Sequence, residues 1–436
     1  MLRRKIEQTL YNYYQNPNNK ILVINGARQI GKSYIIRETA SQIFQNYIEI
    51  NLKDDHDSQQ LFSYVRNKED FYLQVSALFG EKLGTIENTI IFLDEIQVYP
   101  HMLSMLKQLK LDNRYRYIAS GSLLGITLRH TFIPMGSIDE INMYPLDFEE
   151  FLWANGVGED VIGYLKNCFI NRIQVNEGIH NTILRRFREY LISGGLPEAV
   201  NEFVINKNVE TTRSIQTLIH NYYKDDATQY DEDNNLRVRR IYDSLPSYMI
   251  NKVKRIRLNS ISNKGKAESK QYEDDFDYLL NSGCTIGVKA VADPKFPLIE
   301  SSAKNLLKLY FNDVGILSNV LYRNNILPLL NFDEGLNLGS IYETACAKEL
   351  LAHGHELYYF DAKKTGEVDF LINDYDNLAI LPIEIKSGND QYNFRAIPKL
   401  VKEPYNLKKG YIFGNKNIIE EKDNLITFPI YMIMFI

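Results

Sequence analysis

Short apolar runs punctuate the first third of the chain at intervals too wide for hairpins. Ile21-Leu22-Val23-Ile24 and Ile90-Ile91-Phe92-Leu93 are each four consecutive apolar residues, and Tyr115-Arg116-Tyr117-Ile118-Ala119 follows. Uninterrupted runs of this length predict strands buried on both faces, as in a parallel sheet covered by helices. Tyr34–Ala40 fits one such helix, and the N-terminal MLRRKIEQTLYNYYQ another. Between about 146 and 205 the pattern changes to helical spacing, with Phe148, Phe151, Leu152, Leu184, Phe187 and Leu191 at intervals of three and four. LRVRRIYDSLPSYMI predicts a helix ending near Pro246, and YEDDFDYLLNSG a helix stopped by Gly283. TIGVKAVADPKFPLIE predicts two short strands, and AKNLLKLYFNDVGIL an apolar helix with exposed lysines. Glu367–Leu371 and Leu381–Ser387 predict two more strands. The terminal LITFPIYMIMFI is too short to span a bilayer and is broken by Pro429; it predicts a closing strand or buried tail.

The length of 436 residues predicts two to four domains. The expected division is a parallel-sheet core at 1–145, a helical lid at 146–205, a winged-helix-like part at 206–300 and an α/β part at 301–436. The fold class is α/β multidomain. The net charge of −5 argues against a uniformly basic nucleic-acid coat. Cys168, Cys284 and Cys346 lie far apart; no metal spacing or disulfide framework follows from them, which fits a reducing compartment. No apolar signal-peptide core opens the chain, so the expectation is a cytoplasmic protein with no membrane association.

Candidate chemistry starts at Gly26-Ala27-Arg28-Gln29-Ile30-Gly31-Lys32-Ser33, which matches G-x-x-x-x-G-K-[ST] between a strand and a helix. The glycines let the backbone turn its N–H groups toward phosphates at a helix N-terminus. Lys32 supplies a charge for the β- and γ-phosphates, and the Ser33 hydroxyl is a candidate Mg2+ ligand. ATP and Mg2+ are the expected cofactors. Asp94 and Glu95 emerge at the carboxyl end of their strand, where such sheets bind ligands. Asp94 is the candidate Mg2+ carboxylate, and Glu95 the base that orients the attacking water. Ser120 and Ser122, at the tip of the next strand, are candidates for sensing the γ-phosphate or for a structural turn.

Asp369 leaves its strand on the side opposite Val368 and Phe370, while Glu384 and Lys386 share a face. Two acids and a lysine at one hairpin end suit Mg2+-assisted phosphodiester hydrolysis, with Asp369 and Glu384 as metal ligands. The same alternation also decorates ordinary exposed sheets.

GARQIGKS, IIFLDEIQ, YIASGS, YPLDFEEFL (144–152) and GGLPEAV (194–200), in this order, resemble one family across nearly the whole chain. That family is the prokaryotic AAA-type ATPases with a C-terminal domain of the PD-(D/E)XK nuclease superfamily. The resemblance implies a D…E-x-K nuclease-like site at Asp369, Glu384 and Lys386, completed by Glu343 from a helix. It also implies contact of Gly195 and Pro197 with adenine, although GGLP is equally a helix break with a stiff turn. Oligomeric ATPases often supply an arginine from a neighbouring subunit. This chain has Ser137 where a basic residue is expected; Arg129 and Arg114 are candidates, and no arginine finger is assigned.

From Arg237 to Lys270, ten basic residues face only Asp243 and Glu268, a local charge of +8. They are Arg237, Arg239, Arg240, Lys252, Lys254, Arg255, Arg257, Lys264, Lys266 and Lys270. The stretch predicts a DNA backbone footprint or, alternatively, a solvated surface or a patch docked on the acidic ATPase part. The leading expectation is an ATPase whose nucleotide state controls a nucleic-acid-directed domain, with homo-oligomers as candidate assemblies. The alternative is a signalling or scaffold switch with an inactive C-terminal partner-binding domain. A defence or toxin–antitoxin role is a third reading that no residue selects.

Overall fold

The apolar runs of the first third are strands of one parallel sheet. The computed structural model describes every residue except 1, 17–19, 123–135, 229–234, 251–269, 332–337, 389–393 and 403. The chain divides into two compact units: Arg3–Tyr144 with Asn281–Gly283, and Pro145–Leu280 with Cys284–Ile436.

In the first unit, β1 (Ile21–Asn25), β2 (Asn46–Asn51), β3 (Thr89–Asp94), β4 (Arg116–Gly121) and β5 (Ile138–Asn142) are ordered β2-β3-β4-β1-β5. Every neighbouring pair is parallel. Parallel strands need crossovers, and the helices Lys32–Ile43, Lys68–Phe79 and Pro100–Asp112 supply them. Ile91, Leu93, Ala119 and Val23 pack with Phe71, Met102 and Leu106 in the core. Arg116 is buried beneath the end of the Ile6–Gln15 helix. It donates to the carbonyls of Tyr13, Tyr14 and Asn16 at 3.1, 3.0 and 2.9 Å, a cation at a helix C-terminus.

In the second unit, the segment expected to be helical forms the helices Phe148–Ala154, Glu159–Asn171, Glu177–Ser193 and Pro197–Asn206. The helix expected to stop near Pro246 instead runs from Asn235 to Ile250 with Pro246 inside it. Val238, Ile241, Tyr242, Leu245 and Met249 form its buried stripe, and that packing outweighs the hydrogen bond a proline cannot make.

An eight-stranded mixed sheet, ordered β12-β13-β11-β10-β9-β8-β6-β7, carries the rest. Its strands are β6 (Thr285–Val291), β7 (Ser302–Phe311), β8 (Tyr358–Ala362), β9 (Gly366–Asp374), β10 (Ala379–Lys386), β11 (Gly410–Gly414), β12 (Glu420–Lys422) and β13 (Leu425–Pro429). TIGVKAVADPKFPLIE contributes only one of the two strands expected of it. The stretch read as an apolar helix is β7 followed by the Val314–Tyr322 helix. β6 and β7 pair antiparallel from Thr285↔Phe311 to Val291↔Ser302, and β6 also pairs with β8. The one strand of the expected wing that forms, β6, is therefore built into the large sheet. The expected boundary at 300 falls between two strands of one ladder. The tail closes as expected: β13 and the turn Ile430–Phe435 are buried up to Met434.

Candidate nucleotide site and C-terminal acid cluster

Gly26 ends β1 with φ 154°, and an added Cβ there would lie 2.3 Å from the Met143 carbonyl oxygen. Gly31 takes a left-handed backbone, φ 90°, just before the Lys32–Ile43 helix. That conformation suits glycine and lets the turn Ala27–Ile30 fold over the helix N-terminus. Ile30 is buried beneath it, and the Arg4 guanidinium donates to the carbonyls of Ile30 and Tyr144 at 3.1 and 2.7 Å. Arg28 is half-buried and Gln29 is exposed, with φ 62° at Gln29. Lys32 Nζ donates to the carbonyls of Gly26 and Ala27 at 2.7 and 2.8 Å, placing the ammonium at the loop itself.

The strand order explains what meets this loop. β4 lies between β1 and β3, so Ser120, paired with Ile24, sits between the loop and the Asp94 strand. Ser33 Oγ donates to Asp94 Oδ2 at 2.6 Å, and Ser120 Oγ donates to Asp94 Oδ1. Glu95 has φ 53°, an uncommon left-handed backbone for this residue type, of the kind that gathers at functional sites. Its Oε2 accepts from Ser122 Oγ at 3.0 Å and from Gln97 Nε2. The sequence marked both serines but not Gln97, which stands two residues beyond the acidic pair with no pattern to flag it.

The two acids have opposite proton affinities. Burial pushes the Asp94 carboxyl up, against the hydrogen bonds of Ser120 and Ser33. Burial also works against ionisation of Glu95. There the Lys32 charge, the bonds from Gln97 and Ser122, and Arg28 prevail and hold it below the usual range. An oxygen-only pair, the Ser33 hydroxyl and the Asp94 carboxylate, beside an ionised second acid is a donor set suited to a hard cation such as Mg2+.

Of the expected arginines, Arg114 lies over the Tyr72 and Tyr115 rings, at 4.7 and 5.5 Å from their centroids. Arg129 lies outside the described residues. Ser137 precedes β5, and its carbonyl accepts from Ile21 N–H at 2.9 Å.

In the second unit, Gly195 and Pro197 are held from within. Gly195 N–H donates to Asp313 Oδ2 at 2.6 Å, and its carbonyl accepts from Leu146 N–H at 2.7 Å. Pro197 opens the Pro197–Asn206 helix, where the missing N–H costs nothing. Asp313 also caps the next helix through Ile316 N–H at 3.1 Å. The Asn-Asp pair before Val314 carries the usual helix-start signal.

The C-terminal acids come together around buried partners. Glu384 and Lys386 share a face of β10 as expected, with Lys386 Nζ donating to Glu384 Oε1 at 2.7 Å. Asp369 Oδ2, on β9, accepts from Ile385 N–H at 2.8 Å. Glu343, on the Gly339–Ala352 helix, accepts from Tyr310 OH at 3.0 Å. Glu367, also on β9, is 30% exposed. It pairs with Lys308, a β7 residue only 1% exposed, whose ammonium lies 4.4 Å from the Tyr359 ring centroid. Lys308 and Tyr310 escaped the sequence reading because their strand was read as a helix.

Burial raises Glu384, with Glu343 and Glu367 adding to the effect against Lys386. Glu384 Oε2 is buried and receives no hydrogen bond among the described residues, an orphan atom of the kind a bound cation satisfies. Glu343, Asp369 and Glu384 are nevertheless not drawn into one tight set. Among the described residues, the His, Cys, Asp or Glu group with ligand atoms within 4.8 Å of one another is Asp147, Glu349 and His353.

The basic stretch is partly spent internally. Arg237 forms a two-armed pair with the buried Asp275, and Arg239 lies 3.7 Å from Asp243. Lys252, Lys254, Arg255, Arg257, Lys264 and Lys266 lie outside the described residues.

Residues 18–152 match the family model described as "AAA domain". With its strand order and the Gly26–Ser33 loop, this part of the chain is similar to AAA-type P-loop domains. Residues 184–326 and 338–433 match two domains of unknown function, DUF8612 and DUF4143. A search of curated proteins found no match. Similar solved structures include the S. cerevisiae Hsp104-ADP complex, at 12% identity and a TM-score of 0.28, covering 80% of this chain and 42% of that one. The Thermotoga maritima RuvB Holliday junction branch migration motor has 14% identity and a TM-score of 0.27, covering 64% of this chain and 87% of that one. This chain thus spans less than half of the Hsp104 chain. Among the described residues, no helix is long and apolar enough to cross a membrane.

Proposed function

We propose that the protein is an Mg2+-dependent ATPase whose nucleotide state controls a nucleic-acid-directed, nuclease-like C-terminal part. The observation that carries the first half is the Ser33–Asp94–Ser120 hydrogen-bonded set beside Glu95. In this reading Lys32 exchanges its loop carbonyls for the β- and γ-phosphates of ATP. Ser33 and Asp94 hold Mg2+, which would supply charge neutralisation on the phosphate oxygens. Glu95, kept ionised by Lys32, accepts a hydrogen bond from the attacking water and takes its proton. Ser122 and Gln97 orient the Glu95 carboxylate.

For the second half, the support is the buried, orphaned Glu384 Oε2 next to Lys386, with Asp369 on the adjoining strand. Glu384 and Asp369 would hold Mg2+, Lys386 would steady phosphate charge, and Glu343 would complete the set. DNA is the favoured substrate class, the cytoplasm the setting, and a homo-oligomer a candidate assembly. One observation favours the alternative, an ATP-driven switch with an inactive partner-binding C-terminal part: Asp369 Oδ2 is already engaged by Ile385 N–H.

The deciding experiment combines phosphate release and nucleic-acid cleavage by the full chain with Mg2+. Lys32→Ala should lose ATP binding, and Glu95→Gln should bind ATP without turnover. Plasmid or single-stranded DNA should be cut by wild type and not by Asp369→Ala. Equal and intact DNA with both proteins, across ATP, ADP and no nucleotide, would leave the switch reading. Unchanged turnover in Glu95→Gln would remove Glu95 from its role.

A further inference from the structure

Three side chains unused by the proposed chemistry meet inside the second unit. Asp147 is the N-cap of the Phe148–Ala154 helix, and its Oδ1 accepts from Glu150 N–H at 2.8 Å. Glu349 Oε1 accepts from Phe148 N–H at 2.6 Å and from Tyr190 OH at 3.3 Å. These bonds tie both carboxylates into the fold. The other oxygens turn toward one imidazole: His353 Nε2 lies 3.6 Å from Asp147 Oδ2 and 3.9 Å from Glu349 Oε2. Glu349 and His353 are four residues apart, one helical turn, so they leave the same face. On the far side of the ring, Nδ1 hydrogen-bonds the Ile436 carbonyl oxygen at 2.9 Å. A nitrogen facing a carbonyl carries the proton, so in the neutral ring Nε2 is the lone-pair nitrogen.

The dimensions fit a small ion. Ligand atoms about 2.0–2.2 Å from a tetrahedral Zn2+ lie roughly 3.4 Å from each other. The two separations from His353, 3.6 and 3.9 Å, exceed this by a few tenths of an ångström, and all three ligand atoms lie within 4.8 Å of one another. The charge balance favours a cation as well. Lys348 is the ammonium among four carboxyls, those of Glu349, Asp147, Glu150 and Asp313. One imidazole nitrogen with two carboxylate oxygens suits a Zn2+-class ion better than Mg2+, which prefers all-oxygen octahedra. His353 also lines a cavity of about 670 Å³ with His355, Glu356, Asp374 and Asp376, an acidic approach for a cation.

We propose that Asp147 Oδ2, Glu349 Oε2 and His353 Nε2 bind one divalent transition-metal ion of the Zn2+ class, separate from the Mg2+ of the nucleotide site. The ion cross-links the Phe148–Ala154 helix start to the end of the Gly339–Ala352 helix. It leaves one coordination position for water.

The competing arrangement is a protonated His353 bridging the two carboxylates, which binds no metal. Equilibrium dialysis of the chelator-stripped full chain against Zn2+ separates the two. Wild type should retain one equivalent that His353→Gln lacks. Asp147→Asn keeps the helix cap, because asparagine caps as well as aspartate, yet it should weaken Zn2+ at least about tenfold. Co2+ in place of Zn2+ should give a visible ligand-field band in wild type that both variants lose. Lys32→Ala and Asp369→Ala should bind Zn2+ like wild type. A wild-type chain that retains no equivalent, or retains it equally in His353→Gln and Asp147→Asn, overturns the proposal. So does retention in wild type that is lost in Asp369→Ala.

Discussion

Ser33 and Asp94, sixty-one residues apart in the chain, are joined by a 2.6 Å hydrogen bond at the mouth of the phosphate loop. The bond brings a helix N-terminus and a strand C-terminus to one point. It also places a buried carboxyl where its charge is costly, since burial raises the Asp94 proton affinity.

Asp94→Asn should therefore separate stability from activity. A raised carboxyl stabilises the fold while protonated, and that contribution is lost as pH rises through its folded-state value. At pH 8 Asp94→Asn should melt at or above the wild-type temperature, and the gap should close as the pH falls. Phosphate release should drop at least about a hundredfold. A lower melting temperature across the whole range would contradict the buried-charge account.

Gly26→Ala should damage the loop through β5. The new Cβ would meet the Met143 carbonyl at 2.3 Å, and Met143 N–H donates back to the Asn25 carbonyl at 2.8 Å. A backbone contact this short cannot be relieved by a side-chain rotation. A loss of about 1–3 kcal/mol in urea unfolding, with weakened binding of a fluorescent ATP analogue, is expected.

Glu367→Gln should destabilise more than Lys308→Met. Lys308 is enclosed, whereas its partner Glu367 is 30% exposed. Removing the glutamate charge leaves a buried ammonium, at a cost on the order of 3 kcal/mol, while removing the lysine leaves an acid that water still reaches. Chemical denaturation of the two variants gives the order, and the double variant should recover most of the loss.

Asp313→Ala should loosen the Gly194–Pro197 turn. The Asp313 carboxylate holds Gly195 N–H and Ile316 N–H, and its removal leaves both donors buried. About 3 kcal/mol of destabilisation follows from two lost charge-assisted bonds. Amide exchange at Gly195 and Ile316 should accelerate in the variant before the chain unfolds as a whole.

The nucleotide-binding part was legible because its signals are local. The loop at Gly26–Ser33, the strand ending in Asp94-Glu95 and the serines after Ala119 each lie within a few residues, and strand order then gathers them. The C-terminal cluster was half legible. Period-two alternation put Glu384 with Lys386 and Asp369 opposite Val368, as observed. Lys308, Tyr310 and Glu367 were missed because Asn305–Phe311 reads equally as a helix face or a strand; only pairing with β6 settles it. Pro246 misled in the opposite direction, because the buried stripe from Val238 to Met249 carries the helix through it. Asp147, Glu349 and His353 lie about two hundred residues apart, and only Glu349 and His353 share a readable spacing. An alanine at Gly26 or Gly195 is excluded by the Met143 and Leu146 backbone carbonyls, contacts that no local pattern reveals.

The pairing of β6 with both β7 and β8 sets where the chain can be cut. Dividing it at 300 would strip β6 from its two partners and give each fragment a raw sheet edge, so both pieces should aggregate. A division near 144 crosses no ladder, although residues 281–283 would then part from the unit they pack with.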